Sequence, residues 1–162
     1  GWFLRSDFEL ADPALGGDID YRRLSLEWQG ARGGTDYSLS TVLRYEDSLG
    51  TQLPLTEAFV LGGFENLSGL RERQILANQV LFGRVVYSRQ IGRGGALLRG
   101  VYLGGSIEYA RVRERLNALD PTFEGLGGSL FLSLDSRLGP FYLGAGLAEE
   151  GEATLYLFLG RP

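Results

Sequence analysis

Side chains that commonly perform acid–base or nucleophilic chemistry are scarce in this sequence, which contains no Cys and no His. Without Cys there are no disulfides and no thiolate metal sites, and without His there is no imidazole base for hydrolysis. One serine lies in a near-match to the Gly-x-Ser-x-Gly nucleophile elbow, at residues 104–108. That segment ends in Glu and falls inside a predicted strand. We interpret Ser106 as a small wall residue, and we predict no catalytic residue, no metal site and no cofactor.

Three further segments could each be a binding site or an ordinary turn or exposed loop, and we favour the turn or loop in each case. Residues 92–95, Gly-Arg-Gly-Gly, have neither a following helix nor a Lys, so they predict a hairpin turn rather than a phosphate loop. Residues 149–152, Glu-Glu-Gly-Glu, predict a solvated hairpin tip rather than a cation site. Arg111, Arg113 and Arg115 fall in a predicted charged loop, 111–121, where solvent exposure is favoured over contact with anionic lipid headgroups.

Alternation of apolar and polar residues is the dominant pattern and predicts an all-β fold. Successive strand side chains point to opposite faces, so the alternation places apolar residues on one face. No long window has helical periodicity. The pattern predicts about eight strands, joined mostly as antiparallel hairpins in a single domain of residues 1–162. The predicted strands are 1–10, 20–29, 37–46, 80–89, 98–110, 125–135, 141–147 and 153–160, with a short strand end at 59–61.

The composition of the two faces favours an up-and-down transmembrane β-barrel over a soluble sandwich, which the alternation also permits. The apolar face carries few charges, and the opposite face mixes Arg, Glu, Asp and Ser with Gly, as a crowded polar lumen would. A net charge of −4 with dispersed Arg residues argues against a nucleic-acid partner. Aromatic residues lie at predicted strand ends, as in an interfacial girdle: Trp2, Trp28, Tyr37, Tyr45, Tyr87, Tyr109 and Phe141.

Short motifs spread over nearly the whole chain resemble a known family. They are Leu-Gly-Gly-Phe at 61–64, Leu-Ser-Gly at 67–69, Gly-Arg-Val-Val-Tyr at 83–87, Leu-Gly-Pro-Phe-Tyr-Leu at 138–143, and the ending at 156–162. On these motifs the chain resembles the BamA/TamA superfamily of outer-membrane barrels, and within it the barrel of patatin-like type Vd autotransporters. The resemblance implies the C-terminal half of a sixteen-strand barrel whose long loop folds back into the lumen.

The resemblance also implies which residues would order that loop. The loop-motif residues are Gly62, Gly63, Leu67, Ser68, Gly69, Leu70, Arg71 and Arg73, the lumen-wall partners are Glu46, Arg84 and Glu108, and the terminal-strand signal is Leu155, Tyr156, Leu157, Phe158, Leu159 and Gly160. Ser68 stands where the superfamily has Arg, and a Ser cannot supply a charge-assisted contact to a wall carboxylate. We therefore expect Arg71 or Arg73 to pair with Glu108 or Glu46.

The function implied by the resemblance is to anchor in the bacterial outer membrane and to translocate an N-terminal passenger, with no enzymatic activity in this segment. The expected partners are outer-membrane lipid and the barrel-assembly machinery. Two alternatives remain. The chain would be the membrane anchor of a patatin-like phospholipase whose catalytic domain is absent here, or a soluble β-barrel that binds a small apolar ligand.

The outer edges of the first and last predicted strands need partners, because lipid cannot satisfy unpaired backbone groups. Further strands of the same polypeptide, closure of the eight strands on themselves, or a second copy of the chain would each supply them. The segment 62–78 is too long for the lumen of an eight-strand barrel, which favours further strands. The first residue is Gly rather than Met, which predicts an excised or processed piece of a longer polypeptide.

Overall fold

The computed structural model describes residues 1–15, 19–93, 98–137, 139–149 and 153–160. Within them the chain forms nine strands and a three-residue 3-10 helix, Pro13–Leu15. No helix among these residues has the length and apolar character to span a bilayer. The strands are β1 (Trp2–Ala11), β2 (Tyr21–Gly33), β3 (Tyr37–Asp47), β4 (Phe59–Leu61), β5 (Ile75–Arg93), β6 (Leu98–Arg115), β7 (Thr122–Ser136), β8 (Gly139–Ala148) and β9 (Ala153–Leu159).

The strands form one antiparallel sheet in the order β1-β2-β3-β5-β6-β7-β8-β9. The short strand β4 pairs with residues 75–77 at the start of β5, and β3 pairs with residues 79–89 of the same strand. Strands β3 and β4 therefore lie one after the other along the same edge of β5. Ala77 shows this, because it pairs with Phe59 on one side and with Arg115 of β6 on the other. The predicted all-β, hairpin-connected antiparallel fold is thus confirmed. The sheet is open, since among the described residues β1 pairs only with β2 and β9 only with β8.

Several predicted strand boundaries were wrong by a few residues, and the two largest errors lie where β5 meets β6. Strand β5 begins at Ile75 rather than at residue 80, and β6 continues to Arg115 rather than ending at 110. Pairing between the two strands extends as far as Ala77 and Arg115, which turns part of the predicted charged loop into strand. The glycine-rich turn at 92–95 and the acidic tip at 149–152 lie partly outside the described residues.

The two faces of the sheet differ in what covers them. We call the face on which residues 62–74 lie the inner face, and the opposite one the outer face. Outward side chains are mostly large, apolar and exposed, among them Leu39, Leu103 and Leu157. Inward positions include the half-buried Arg44 and the fully buried Glu108. The predicted separation into one apolar and one polar face is therefore present, and the polar face is the covered one.

The buried core lies on the inner face and is small. It is formed where β4 and the segment after it pack against the middle strands. Its members are Tyr21, Leu53, Phe59, Leu61, Leu67, Leu70, Ile75, Ala77, Val80, Phe82, Ala110 and Val112. Most inner-face charges lie outside this cluster, so the inner side has an apolar region under β4 and a polar wall elsewhere.

Candidate functional site: a loop docked on the polar wall

The inner loop, residues 62–74, connects β4 to β5 and lies against the inner face of the strands from β3 to β9. Its backbone requires glycine at specific points. Gly62 and Gly69 have φ of +111° and +105°, a region that side chains rarely adopt. A Cβ at Gly62 would also lie 2.1 Å from the Arg71 carbonyl oxygen, and one at Gly69 would lie 2.2 Å from the Ala148 backbone nitrogen. Both glycines therefore permit a chain path that no other residue fits.

Ser68 fastens the loop to β6 through the buried carboxylate of Glu108. The Ser68 backbone N–H donates to Oε2 of Glu108 at 2.5 Å, and its hydroxyl donates to Oε1 at 2.8 Å. Ser106 Oγ also donates to Oε1, at 2.5 Å, and shares a hydrogen bond with Ser129 Oγ. Glu108 is 0% exposed. A buried carboxylate is costly unless its oxygens accept hydrogen bonds, and three donors satisfy this one. The two Ser68 donors hold the loop against the wall, whereas Ser106 belongs to the same strand as Glu108.

Two arginines of the wall hold the first half of the loop. Arg84 of β5 donates to the Glu65 carbonyl oxygen at 2.5 Å and lies 3.1 Å from the Glu65 carboxylate. Arg44 of β3 donates to the Asn66 side chain at 2.9 Å and lies 3.3 Å from Glu46 on its own strand. Burial raises the pKa of the Glu65 carboxyl above its ordinary value, Arg84 lowers it, and the nearby Glu108 carboxylate raises it further.

Phe64 anchors the loop in a cluster of aromatic side chains on β7, β8 and β9. Its ring centroid lies 5.6 Å from that of Phe131, 5.1 Å from Tyr156 and 5.5 Å from Phe158. Gly144 makes room for it, because a Cβ there would lie 3.3 Å from the Phe64 ring. The sequence contains Phe64 within the Leu-Gly-Gly-Phe motif, but nothing in the motif predicts that its side chain anchors the loop.

Glycines of the wall form a trough that lets the loop backbone touch the sheet. A Cβ at Gly146 would lie 2.6 Å from the Gly69 nitrogen, and one at Gly127 would lie 2.9 Å from the Ser68 carbonyl oxygen. Their signal in the sequence is the run of inward glycines that alternate with outward leucines on β7 and β8. By itself that pattern predicts a crowded lumen and does not identify the segment that packs there.

The terminal strand contributes polar contacts as well as apolar ones. Thr154 donates its hydroxyl to the Gly69 carbonyl oxygen at 2.7 Å, and the Tyr156 hydroxyl donates to the Leu70 carbonyl oxygen at 3.2 Å. Leu155, Leu157 and Leu159 point outward and are exposed. The predicted terminal-strand residues therefore divide between the two faces, and only the inward members reach the loop.

The expected pairing of Arg71 or Arg73 with a wall carboxylate was wrong. Both arginines are exposed in the loop. Glu108 is held by serines, and Glu46 lies beside Arg44. The physical reason is the glycine trough, which brings the loop backbone so close that a short Ser side chain and its own N–H reach the carboxylate. Leu67 and Leu70, also predicted for the loop motif, are buried in the core.

Comparisons with protein-family models, with curated proteins and with solved structures found no significant match to this chain. Among the described residues, no group of three or more His, Cys, Asp or Glu side chains is placed to hold a metal ion. The features of this chain that bear on function are therefore the two faces of the sheet and the loop docked on the inner one.

Proposed function

We propose that this chain is part of the wall of a bacterial outer-membrane β-barrel, and that the barrel anchors and translocates an N-terminal passenger. The observation that carries the proposal is the inverted arrangement of the two faces. Large apolar side chains are exposed along the outer face, for example Ile107 at 72% and Leu157 at 67%, whereas the fully buried Glu108 lies on the inner face. A surface of this kind is unfavourable in water and favourable in a bilayer.

The dimensions of the outer face support the same proposal. On β3 the outward side chains from Tyr37 to Tyr45 span nine residues, and a transmembrane strand needs about 9–11. Tyr37 stacks with Tyr87 at one margin of the apolar band, with ring centroids 6.3 Å apart. At the other margin the Tyr109 hydroxyl donates to Glu124 at 2.8 Å. Tyrosines at both margins are typical of an interfacial girdle.

A soluble barrel that binds an apolar ligand needs the opposite arrangement, with apolar side chains inside. Here the inner side holds a docked loop, two arginines and several carboxylates. The loop also fills more space than an eight-strand barrel offers, because the interior of such a barrel is just filled by its own side chains. We therefore propose that additional strands complete the wall, and sixteen strands is the number that the family resemblance implies.

The exposure of both faces of the first strand supports the proposal that the wall is incomplete. Phe3 and Leu4 point to opposite faces of β1, and they are 51% and 64% exposed. In a closed barrel, neighbouring strands would cover the free edge and the lumen would enclose the inner side. The inner loop then lies inside the pore, where it occupies the path of a passenger.

The proposal is tested by the behaviour of the protein with and without detergent, together with the position of a passenger in cells. We expect the protein to sediment with membranes and to stay monodisperse only in detergent. We also expect an epitope at the N-terminus of the full-length polypeptide, ahead of the additional strands, to become accessible to antibody on intact cells. A protein that is monodisperse in buffer alone would contradict membrane insertion. An inserted protein whose epitope stays inaccessible would contradict translocation alone.

A further inference from the structure

A basic patch lies on the outer face where the apolar band ends. Arg111 and Arg113 belong to β6, on which Leu103 and Ile107 point outward, so the same alternation directs both arginines outward. Both are exposed. Arg115 does not belong to the patch. Glu114 has a φ of +56°, and beyond it the Arg115 guanidinium lies 5.7 Å from the centre of the Phe123 ring on the inner face.

The patch lies at the rim from which the longer connections emerge. Strand β1 joins β2 there, β3 leads to β4, and β6 leads to β7, whereas the opposite rim carries the short link between β2 and β3. In membrane barrels of bacteria the longer loops face the outside of the cell and the short turns face the periplasm. The patch therefore belongs to the external margin of the proposed barrel.

The depth of the patch matches the lipid headgroups. Tyr109 marks the margin of the apolar band, and Arg111 and Arg113 follow it by about 7 and 13 Å along the strand. With a strand tilt of about 40°, these distances correspond to roughly 5 and 10 Å of depth. The headgroup region begins where the hydrocarbon ends and is several ångströms thick.

Neither arginine is firmly neutralised by the protein. Glu124 lies 3.7 Å from Arg111, but both side chains are at least half exposed and Glu124 also accepts a hydrogen bond from Tyr109. Ion pairs this exposed contribute little stabilisation. Arg113 has no ion pair among the described residues. The nearest acid on β3, Asp47, is two strands away and accepts hydrogen bonds from Tyr45 and Gln79.

From this placement we propose that Arg111 and Arg113 bind the phosphate of an anionic lipid headgroup at the loop-bearing rim. A guanidinium presents paired N–H donors whose spacing matches two phosphate oxygens, and it keeps its charge at any physiological pH. Two of them, on alternate residues of one strand, form a site that a zwitterionic headgroup fills less well. This inference depends on the proposed membrane location.

The test compares lipid selectivity in nanodiscs of phosphatidylcholine that contain a trace of spin-labelled phosphatidylglycerol or spin-labelled phosphatidylcholine. Electron paramagnetic resonance gives the association of each label with the protein. We expect the double variant R111Q/R113Q to lose most of the preference for phosphatidylglycerol, by roughly fivefold for each arginine removed, since each basic residue near an anionic surface contributes a factor of that size. Association of labelled phosphatidylcholine should not change.

The matched control is R5Q/R71Q, which removes the same charge from two exposed arginines on the inner side. We expect it to keep the preference of the parent protein. Equal selectivity in parent and R111Q/R113Q, or an equal loss in the control, would overturn the inference. If the double variant does not fold, R113Q alone provides the test, because no ion pair is removed. A parent protein that fails to enter phosphatidylcholine nanodiscs would overturn the proposed membrane location as well.

Discussion

At the scale of single residues, Ser68 and Glu108 decide how the inner loop is held. The superfamily resemblance suggested that a Ser at position 68 weakens the contact with the wall. The structure places Ser68 against Glu108 with two hydrogen bonds, one from the side chain and one from the backbone. The backbone N–H remains whatever side chain is present, so a substitution at position 68 isolates the contribution of the hydroxyl group from that of the backbone.

We predict that Ser68→Ala lowers the free energy of unfolding by about 1–3 kcal/mol, because a buried carboxylate loses a hydrogen-bond donor. The control is Ser38→Ala, which removes a hydroxyl from the exposed Ser38–Ser88 pair. It should change stability by less than about 0.5 kcal/mol. Urea unfolding in detergent, followed by tryptophan fluorescence, measures both. Similar losses for the two variants would show that the Glu108 contact does not stabilise the fold.

A second prediction concerns the pH dependence that Glu65 confers. Its raised pKa means that the folded protein binds a proton more readily than the unfolded chain. The stabilisation that protonated Glu65 provides is therefore complete below the ordinary pKa of Glu, and it is lost as the pH rises through the raised pKa of Glu65 in the folded protein. We expect the unfolding midpoint of the parent to fall relative to that of Glu65→Gln between pH 4 and pH 8. Glu72→Gln, an exposed change in the same loop, should follow the parent, and parallel curves for the parent and Glu65→Gln would contradict the assignment.

At the scale of elements, the inner loop and the glycine trough fit each other through their backbones. Gly69 contacts the backbone of β8, and Gly146 on β8 contacts Gly69 and Ser68. Gly50, in the connection before β4, provides a comparison. It also has a positive φ, +79°, but a Cβ there would meet nothing within 4 Å.

We predict that Gly69→Ala destabilises the protein more than Gly50→Ala does. Both variants bear the cost of a left-handed backbone, about 1–2 kcal/mol. Only Gly69→Ala adds a clash with Ala148 and Leu147, for which overpacking costs typically 1–3 kcal/mol more. Thermal unfolding in detergent and trypsin cleavage after Arg71 or Arg73 measure stability and loop release. Equal effects would show that the loop is not seated in the trough.

The strands and their faces were predictable from the sequence, whereas the seat of the loop was not. Alternation depends only on the two-residue period of a strand, so Leu103 and Glu108 could be assigned to opposite faces from the sequence. The extension of β6 to Arg115 was missed because charged residues in a run resemble a loop. The Ser68 contact was missed because it depends on how close the loop approaches β6. That distance is set by glycines on other strands.

At the scale of the whole molecule, the outer face decides the environment of the protein. Ile107 lies near the middle of the apolar band and is 72% exposed. We predict that Ile107→Arg destabilises the protein folded in phospholipid vesicles by about 2–4 kcal/mol, the cost of a cation near the bilayer midplane. The control Ser38→Arg places the same cation at an exposed inner position. It should cost far less, and equal costs for the two variants would mean that Ile107 does not meet hydrocarbon.

The most direct measurement uses single cysteines, which can be introduced without background because the chain has none. Spin labels at Leu103→Cys and Leu157→Cys probe the outer face, and labels at Gln29→Cys and Ser133→Cys probe the inner one. In lipid bilayers we predict that the outer labels collide readily with oxygen and rarely with a water-soluble nickel chelate, while the inner labels show the reverse. Outer labels that reach the chelate as readily as the inner ones, or that are shielded from both reagents, would contradict a membrane-embedded wall.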